Sequence, residues 1–190
     1  MDSPVIGFAL TGSFCTFQRV LDEMERLKER YPNIIPIFSH NSRYTDNRFG
    51  FAEEFCKRAE EICGRKSLST LTEVEPIGPK HLLDALIVAP CTGNTLAKLS
   101  CGIADTPVTL AVKAHLRNHA PVILAVSTND GLAANAQNIG KLLARKHHYF
   151  VPFGQDDPHG KPSSLVADFS RLGDTLDLAL QGKQIQPLLL

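Results

Sequence analysis

The sequence has no excess of charge of either sign. Its 190 residues include 20 basic and 20 acidic ones, which gives a formal net charge of zero at pH 7. Such a balance provides no broad positive field of the kind that attracts nucleic acid or an anionic membrane surface. We therefore expect a small molecule or another protein as the partner, with no nucleic acid and no membrane.

A secretory leader and long apolar runs are also missing. The first apolar run is interrupted at Thr11 and Gly12, and no basic residue precedes it. This pattern predicts neither a signal peptide nor a membrane span, and we expect a cytoplasmic protein. The length suffices for one full core and is short for two, so we predict a single domain over residues 1–190.

Cysteine is scarce and its spacing is irregular. The five cysteines include no CxxC pair, and an odd number cannot all pair, so we expect no disulfide framework. Cys91 is interpreted as a residue that lines a site. His115 and His119 are four residues apart, but nothing supplies a third ligand, and we interpret them as helix-end residues and predict no metal site.

Apolar periodicity predicts an alternation of strands and helices. Strands are expected at 5–10, 34–38, 82–89, 121–126 and 149–151, and a polar loop at 39–50. Helices are expected between Thr16 and Pro32 and at 51–64, 94–100, 107–118, 132–145 and 165–180. This order predicts an α/β fold, a three-layer Rossmann-like (flavodoxin-like) parallel sheet with helices on both faces.

Three polar loops follow strands of this predicted sheet, and ligands bind beyond the carboxyl ends of such strands. They are "TGSFCT", "PCTGNT" and "STNDGLAAN". The second loop opens a helix, whose first amides are unpaired and accept a phosphate. The cradle is predicted from the hydroxyls of Ser13, Thr92 and Thr95, the amide of Asn94, and close backbone approach at Gly12 and Gly93.

The common nucleotide signatures are absent. Neither GxGxxG nor GxxxxGK[ST] occurs, so the phosphate holder is predicted to be of another type. The loops resemble the flavoprotein family of homo-oligomeric flavin-containing cysteine decarboxylases, through "TGS" at 11–13 and "APCTGNTLAKLSCGIAD" at 89–105. The resemblance implies a homo-oligomer with FMN held by Thr11, Gly12, Ser13, Pro90, Thr92, Gly93, Asn94, Thr95, Ser127 and Thr128.

One block departs from the family. The cysteine decarboxylases have "PxMN" after the fourth strand, whereas this chain has Ser127, Thr128, Asn129 and Asp130. The departure counts against peptidyl-cysteine or phosphopantothenoylcysteine decarboxylation. From their position in the loop, Asn129, Asp130 and Ser127 are the candidates for proton handling or substrate orientation.

The segments "EPIGPK" and "VPFGQDDPHGKPSSLVA" and the tail "QIQPLLL" resemble a branch of this family found in sporulating bacteria. The resemblance implies an oxidoreductase subunit of the mother cell, which takes part in converting a dihydrodipicolinate-related intermediate to dipicolinate. It further implies a partner subunit similar to a nicotinamide-dependent dehydrogenase. Arg48, Lys80 and Lys161 are the candidates for binding the two carboxylates of this small dicarboxylate substrate.

Three alternatives stay open. The scaffold is compatible with an FMN-dependent decarboxylase, with a flavin prenyltransferase and with a noncatalytic binding subunit, because fold alone does not decide function. The apolar tail is expected either to contact a partner or to dock on its own domain.

Overall fold

Five parallel strands form the centre of the computed structural model, which describes residues 3–190. Met1 and Asp2, part of the segment predicted to be neither leader nor span, lie outside the described residues. The order across the sheet is β2-β1-β3-β4-β5. The strands are β1 (Val5–Leu10), β2 (Asn33–Phe38), β3 (Ala85–Cys91), β4 (Val122–Thr128) and β5 (His148–Phe150). Their residues are almost all buried, as expected for strands covered on both faces.

Helices cover both faces of the sheet, which confirms the predicted fold class. The helices α1 (Phe17–Arg30), α3 (Ala52–Cys63) and α8 (Leu172–Leu180) pack on one face. The other face carries α4 (Leu71–Val74), α5 (Gly93–Cys101), α6 (Pro107–Leu116) and α7 (Ala136–Leu143). The prediction of one domain over residues 1–190 stays a prediction.

The last predicted helix, over 165–180, is wrong in its first part. Leu165–Ala167 is a strand, β7, which pairs antiparallel with the end of β4 through Val166 opposite Ser127. A further short strand, β6 (Phe153–Gly154), extends the sheet beyond β7, and the helix begins only at Leu172. The apolar stripe fits a helix or a strand at this point, and long-range pairing with β4 decides for the strand.

Other differences concern the ends of elements and two short helices, α4 and one in the loop after β2, that were not predicted. Strand β3 begins at Ala85 instead of residue 82, and the helix predicted over 132–145 is confined to α7. The polar loop after β2 contains a short helix, α2 (His40–Tyr44). Its beginning is fixed by Ser39, whose hydroxyl accepts a hydrogen bond from the Ser42 amide at 3.2 Å.

The tail docks on its own domain and also exposes apolar side chains. The Phe153 amide donates to the Leu188 carbonyl at 3.0 Å, and the Leu190 amide donates to the Phe153 carbonyl at 3.1 Å. The side chains of Leu189 and Leu190 are nevertheless 70% and 62% exposed. The tail therefore docks on its own domain, and its contact with a partner stays a prediction.

The five cysteines are all free. Within residues 3–190, no helix has the length and apolar character that crossing a membrane requires. No group of three or more potential metal-ligating side chains forms in that same range. His115 is buried in α6, with its Nε2 3.1 Å from the Pro121 carbonyl oxygen.

Candidate functional site

The loops after β1 and β3 are joined directly by hydrogen bonds at the carboxyl edge of the sheet. The hydroxyl of Thr11, which is buried, donates to the Pro90 carbonyl at 2.6 Å. The Thr11 hydroxyl oxygen also accepts a hydrogen bond from the Thr92 amide at 3.1 Å. Thr11 and Pro90 thus fix the relative position of the two loops and leave the neighbouring groups to face a ligand.

A pair of hydroxyls connects the loop after β1 to the loop after β4. The Oγ atoms of Ser13 and Ser127 are 2.7 Å apart, although β3 lies between their two strands. One hydrogen bond between two hydroxyls uses a single proton, so the second hydroxyl proton remains free for another acceptor. The predicted convergence of loops at one edge is therefore present in the structure.

Helix α5 begins at this edge with a side-chain cap. The Thr92 hydroxyl accepts from the Thr95 amide at 3.3 Å and is 2.9 Å from the Thr95 hydroxyl. The first amides of a helix lack partners within the helix, and the helix dipole places partial positive charge there. The start of α5 is consequently suited to an anionic group.

Two adjacent cavities open along this edge and share Gly12 and Thr92. The smaller has about 320 Å³ and is lined by polar residues and glycine: Thr11, Gly12, Ser39, His40, Asn41, Thr92, Asn94, Thr95, Lys98 and Thr106. The larger, with about 560 Å³, is lined by Gly12, Ser13, Phe14, Cys15, Thr16, Arg19, Arg48, Phe49, Thr92, Gly93, Ser127, Thr128, Asn129, Asp156, Lys161, Ser164 and Val166. Both volumes suit small-molecule sites.

The family model of the flavoproteins matches residues 1–167. The chain belongs to the flavoprotein family. Over 97% of its length, this flavoprotein is 42% identical to the B subunit of dipicolinate synthase from Bacillus subtilis (strain 168), and the match covers 92% of that protein. The family resemblance drawn from "TGS" and "APCTGNT" is thereby confirmed.

Solved structures agree with this assignment. The crystal structure of the dipicolinate synthase B subunit from Bacillus halodurans C matches with a TM-score of 0.90 and 43% identity, covering 98% of this chain and 96% of that one. The FMN-dependent cysteine decarboxylase SpaF matches with a TM-score of 0.70 over 93% of this chain and 97% of that one. Its identity is 20%, so this likeness concerns the fold alone.

The loop after β4 uses part of its polar groups internally. The Asp130 carboxylate accepts from the Thr128 hydroxyl, and from the Asn135 amide nitrogen at 2.8 and 2.9 Å. These bonds, the one from Thr128 first, lower the pKa of Asp130. Asp130 does not line either cavity, whereas Ser127, Thr128 and Asn129 line the larger one.

Gly93 is required by this internal network. A Cβ atom at Gly93 would lie 2.6 Å from the Thr128 hydroxyl and 2.9 Å from Asp130 Oδ1, and would also overlap the Asn135 side chain. Gly12 differs, because a Cβ there would meet nothing closer than 3.7 Å. Its nearest neighbours are Phe14, at the larger cavity, and Asn41, at the smaller one. The protein itself leaves room for a side chain at Gly12.

The three basic residues predicted for substrate carboxylates do not come together. Arg48 and Lys161 line the larger cavity, and Lys161 Nζ is 3.5 Å from Asp156 Oδ2. Lys80 lies in the turn that precedes β3, at the opposite, amino edge of the sheet. Lys80 cannot reach the same substrate within this chain, and the prediction that groups it with the other two is corrected accordingly.

Sequence reasoning missed several groups at the site. Arg19, one turn into α1, lines the larger cavity, and its guanidinium lies 5.3 Å from the Phe169 ring centroid. Ser39 and Asn41 line the smaller cavity because β2 also ends at this edge. The rule that identified the other loops applies equally to the residues after Phe38, so the signal was present in the sequence. For Arg19, the signal was its position in the first turn of the helix that follows the first polar loop, which places it near the same edge.

Two side chains differ from expectation in their chemistry. Cys91, interpreted as site lining, is fully buried, and burial raises the pKa of its thiol. Cys15 lines the larger cavity instead. The cradle was also predicted without lysine, yet Lys98 lines the smaller cavity, and its Nζ is held 2.8 Å from the Asp105 carboxylate.

Proposed function

We propose that this flavoprotein acts as the B subunit of a dipicolinate synthase in the mother cell of a sporulating bacterium. It takes part in the conversion of a dihydrodipicolinate-related intermediate to dipicolinate. The proposal is supported by identity along nearly the whole of both chains. The observation that carries it is the convergence of Ser13, Thr92 and Ser127 around two adjacent cavities.

The residues at this edge fit FMN. The smaller cavity would hold the phosphate and the polyol chain, because its wall includes hydroxyls, side-chain amides, Lys98 and the start of α5. The Thr92 and Thr95 hydroxyls and the Asn94 side chain are the phosphate ligands, with Thr11, Gly12 and Pro90 as their support. The larger cavity, with its aromatic side chains Phe14 and Phe49, holds the ring.

The larger cavity also suits a dicarboxylate. Arg19, Arg48 and Lys161 are its basic residues, and Asp156 is the single acidic one among its lining residues. Guanidinium groups bind carboxylates in a bidentate manner, and lysine acts as a point charge. In this proposal Arg19 replaces Lys80 as the third substrate ligand.

A dihydropyridine loses a hydride equivalent and a proton when it becomes aromatic; a bound flavin would supply the hydride acceptor, and the proton would pass to solvent. The chain's own contribution is to hold the substrate carboxylates and to direct the remaining free hydroxyl proton of the Ser13–Ser127 pair towards the ligand. Asn129, exposed at the rim, orients the reacting group. Asp130 fixes the loop through its bonds to Thr128 and Asn135.

The partners in this proposal are further copies of this chain and the dehydrogenase-like A chain of dipicolinate synthase. The redox step belongs either to the flavin site or to that A chain. Turnover of dihydrodipicolinate by the FMN-loaded protein without the A chain would assign it to the flavin site. Turnover could instead require the A chain and proceed at a rate that changes at the larger cavity do not affect. This flavoprotein would then be a noncatalytic support.

Changing Ser13 tests the cofactor site. We expect Ser13→Asp to weaken FMN binding by about tenfold or more, because it adds a negative charge next to Gly12, where the larger cavity meets the cavity proposed for the phosphate. The measurement is a titration of the protein with FMN followed by flavin fluorescence. Ser3→Asp, an exposed change at the amino edge, is the matched control. Equal affinity of Ser13→Asp and the control would contradict the proposed cradle.

Neutralising the cations tests the substrate site. We expect Lys161→Gln and Arg48→Gln each to weaken dipicolinate binding several-fold, because each removes one exposed charge contact. Lys80→Gln should leave the affinity unchanged, since Lys80 lies at the other edge. Calorimetric titration of the three variants with dipicolinate checks this. A loss in Lys80→Gln equal to the others would contradict the assignment.

A further inference from the structure

A third cavity, of about 360 Å³, lies between the end of α5, helix α6 and the two residues Arg145 and His148 that come after α7. We call it the basic groove; its walls include Leu99, Ile103, Val112 and Leu116, and its basic side chains are Lys113, Arg117 and Arg145. It shares no lining residue with the two cavities at the carboxyl edge. Nothing in the proposed function uses it.

The position of Ile103 in the apolar wall of the basic groove is fixed by the C-terminal end of α5. Gly102 adopts a positive φ of 72°, and the Gly102 and Ile103 amides donate to the Leu99 and Lys98 carbonyls at 3.1 and 2.9 Å. This arrangement is a Schellman motif, which fixes the direction of the residue that follows the glycine. The side chain of Ile103 is thereby kept 47% exposed at the groove.

The charge of the groove is of one sign. Arg117 caps the C-terminal end of α6 in helical conformation, four residues after Lys113, so the two side chains lie on one face and repel each other. No acidic residue lines the groove, and within residues 3–190 neither side chain forms an ion pair. The partial negative charge at the C-terminal end of α6 therefore compensates these two cations in part, but no carboxylate does.

The third cation is fixed in position from another element. Arg145 follows α7, and its guanidinium donates to the Leu99 and Ser100 carbonyls at 2.9 and 2.7 Å. These bonds anchor the side chain across the end of α5 and beside the groove. Because the Arg145 side chain is already ordered in the folded protein, a ligand that binds it causes little further loss of side-chain entropy. This favours binding of an anion.

We propose that the basic groove binds a small organic anion with an apolar body, namely a monocarboxylate. The carboxylate lies among Lys113, Arg117 and Arg145, and the apolar body covers Ile103, Val112 and Leu116. The chain as a whole has no net charge, so the positive potential is local and selects a small ligand over a polyanion. The volume falls within the range of small-molecule sites.

The experiment uses three probes of related shape on the full chain: octanoate, acetate and 1-octanol. Octanoate carries both features, acetate lacks the apolar body, and 1-octanol lacks the charge. We expect octanoate to bind at least about tenfold more tightly than either of the others in calorimetric titrations, because both kinds of contact contribute. Equal weak binding of all three probes would overturn the proposal.

Charge reversal places the ligand in the groove. The double variant Lys113→Glu/Arg117→Glu should lose about tenfold or more in octanoate affinity. The matched control, Lys141→Glu/Lys146→Glu, reverses two exposed charges outside the groove and should bind octanoate as the original protein does. Ile103→Ser removes the exposed part of the apolar wall while leaving every charge, and should weaken octanoate but not acetate.

Two outcomes besides equal probe affinities would count against this assignment. Octanoate binding could be kept in Lys113→Glu/Arg117→Glu and lost in Lys141→Glu/Lys146→Glu. That result would place the site elsewhere. The original protein could also fail to bind octanoate while the variant Lys113→Glu/Arg117→Glu shows a changed sedimentation coefficient. That result would show that a second copy covers the groove. FMN affinity, measured in parallel, should be the same in every variant, so this test is independent of the proposed cofactor site.

Discussion

The loops after β3 and β4 contain similar residues but use them in opposite ways. In the first, Thr92, Asn94 and Thr95 line the smaller cavity, and the Thr92 and Thr95 hydroxyls are bonded to each other at the start of α5. In the second, Thr128 and Asp130 are bonded within the protein, together with Asn135 and Asn138. Polar composition therefore identifies the candidate edge, but only the hydrogen bonds show which of its groups are not already used within the protein.

The internal network of the second loop extends well below the site. Asn138 donates to Asn135 Oδ1 at 2.9 Å, and the Ser100 hydroxyl donates to Asn138 Oδ1 at 2.6 Å. Asn138 is buried, so a lost partner would leave an unsatisfied polar group in the interior. The loop after β4 is thus rigid, and it supports the start of α5 from behind Gly93.

The largest expected effect concerns the place where the two loops touch. Gly93→Ala should lower the free energy of unfolding by about 2–3 kcal/mol, because its Cβ would overlap side chains that the network holds in place. Urea denaturation gives the value. An alanine variant as stable as the original protein would show that the side chains around Gly93 can move aside at little cost. The loop after β4 would then be no more fixed than the loop after β3.

Removing the charge of the network should have an intermediate effect. Asp130→Asn keeps the shape but turns one acceptor into a donor that faces the Asn135 amide, and should cost about 1–3 kcal/mol at pH 7. The pKa of Asp130 is lowered in the folded state from 3.8, so its stabilisation is fully present above pH 3.8 and is lost as the pH falls through the folded value. The stability difference between the two proteins should therefore shrink only below pH 3.8 in denaturation curves. A difference that is already gone at pH 5 would contradict this account.

The smallest effect on stability is expected on the open side of the edge. Gly12→Ala should change the free energy of unfolding by no more than about 0.5 kcal/mol, because the new methyl group meets only ordinary contacts. The same methyl group stands where the two cavities meet, so the affinity for FMN should fall several-fold. Denaturation and FMN titration of this variant, beside Gly93→Ala, separate a ligand-facing glycine from a packing one. Unchanged FMN affinity would contradict the ligand-facing role.

Much of the fold was predictable because its signals are local. The apolar runs of β1, β2 and β4 and the buried stripe of α1 give the strand and helix order directly. The start of the last helix was not predictable, because Leu165 and Val166 pair with Thr128 and Ser127, almost forty residues earlier in the chain. Periodicity within a short window contains no information on such a partner.

The site was predictable at the level of loops and less so at the level of side chains. Strand ends placed Ser13, Thr92 and Ser127 at one edge, but no sequence rule shows that Asp130 turns inward to Thr128 and Asn135. The error at Lys80 had a different origin. Its position before β3 already assigns it to the amino edge, and the family-like segment around it outweighed this geometric argument.

The docked tail has a practical consequence for anyone who purifies this protein. The backbone of Leu190 is bonded to Phe153, and its carbonyl lies against Gly154, two residues before Asp156 of the larger cavity. An affinity tag fused after Leu190 would therefore emerge beside the larger cavity. A tag placed ahead of Ser3 would extend from the amino edge of the sheet, on the far side of the molecule, and is the better choice for binding studies.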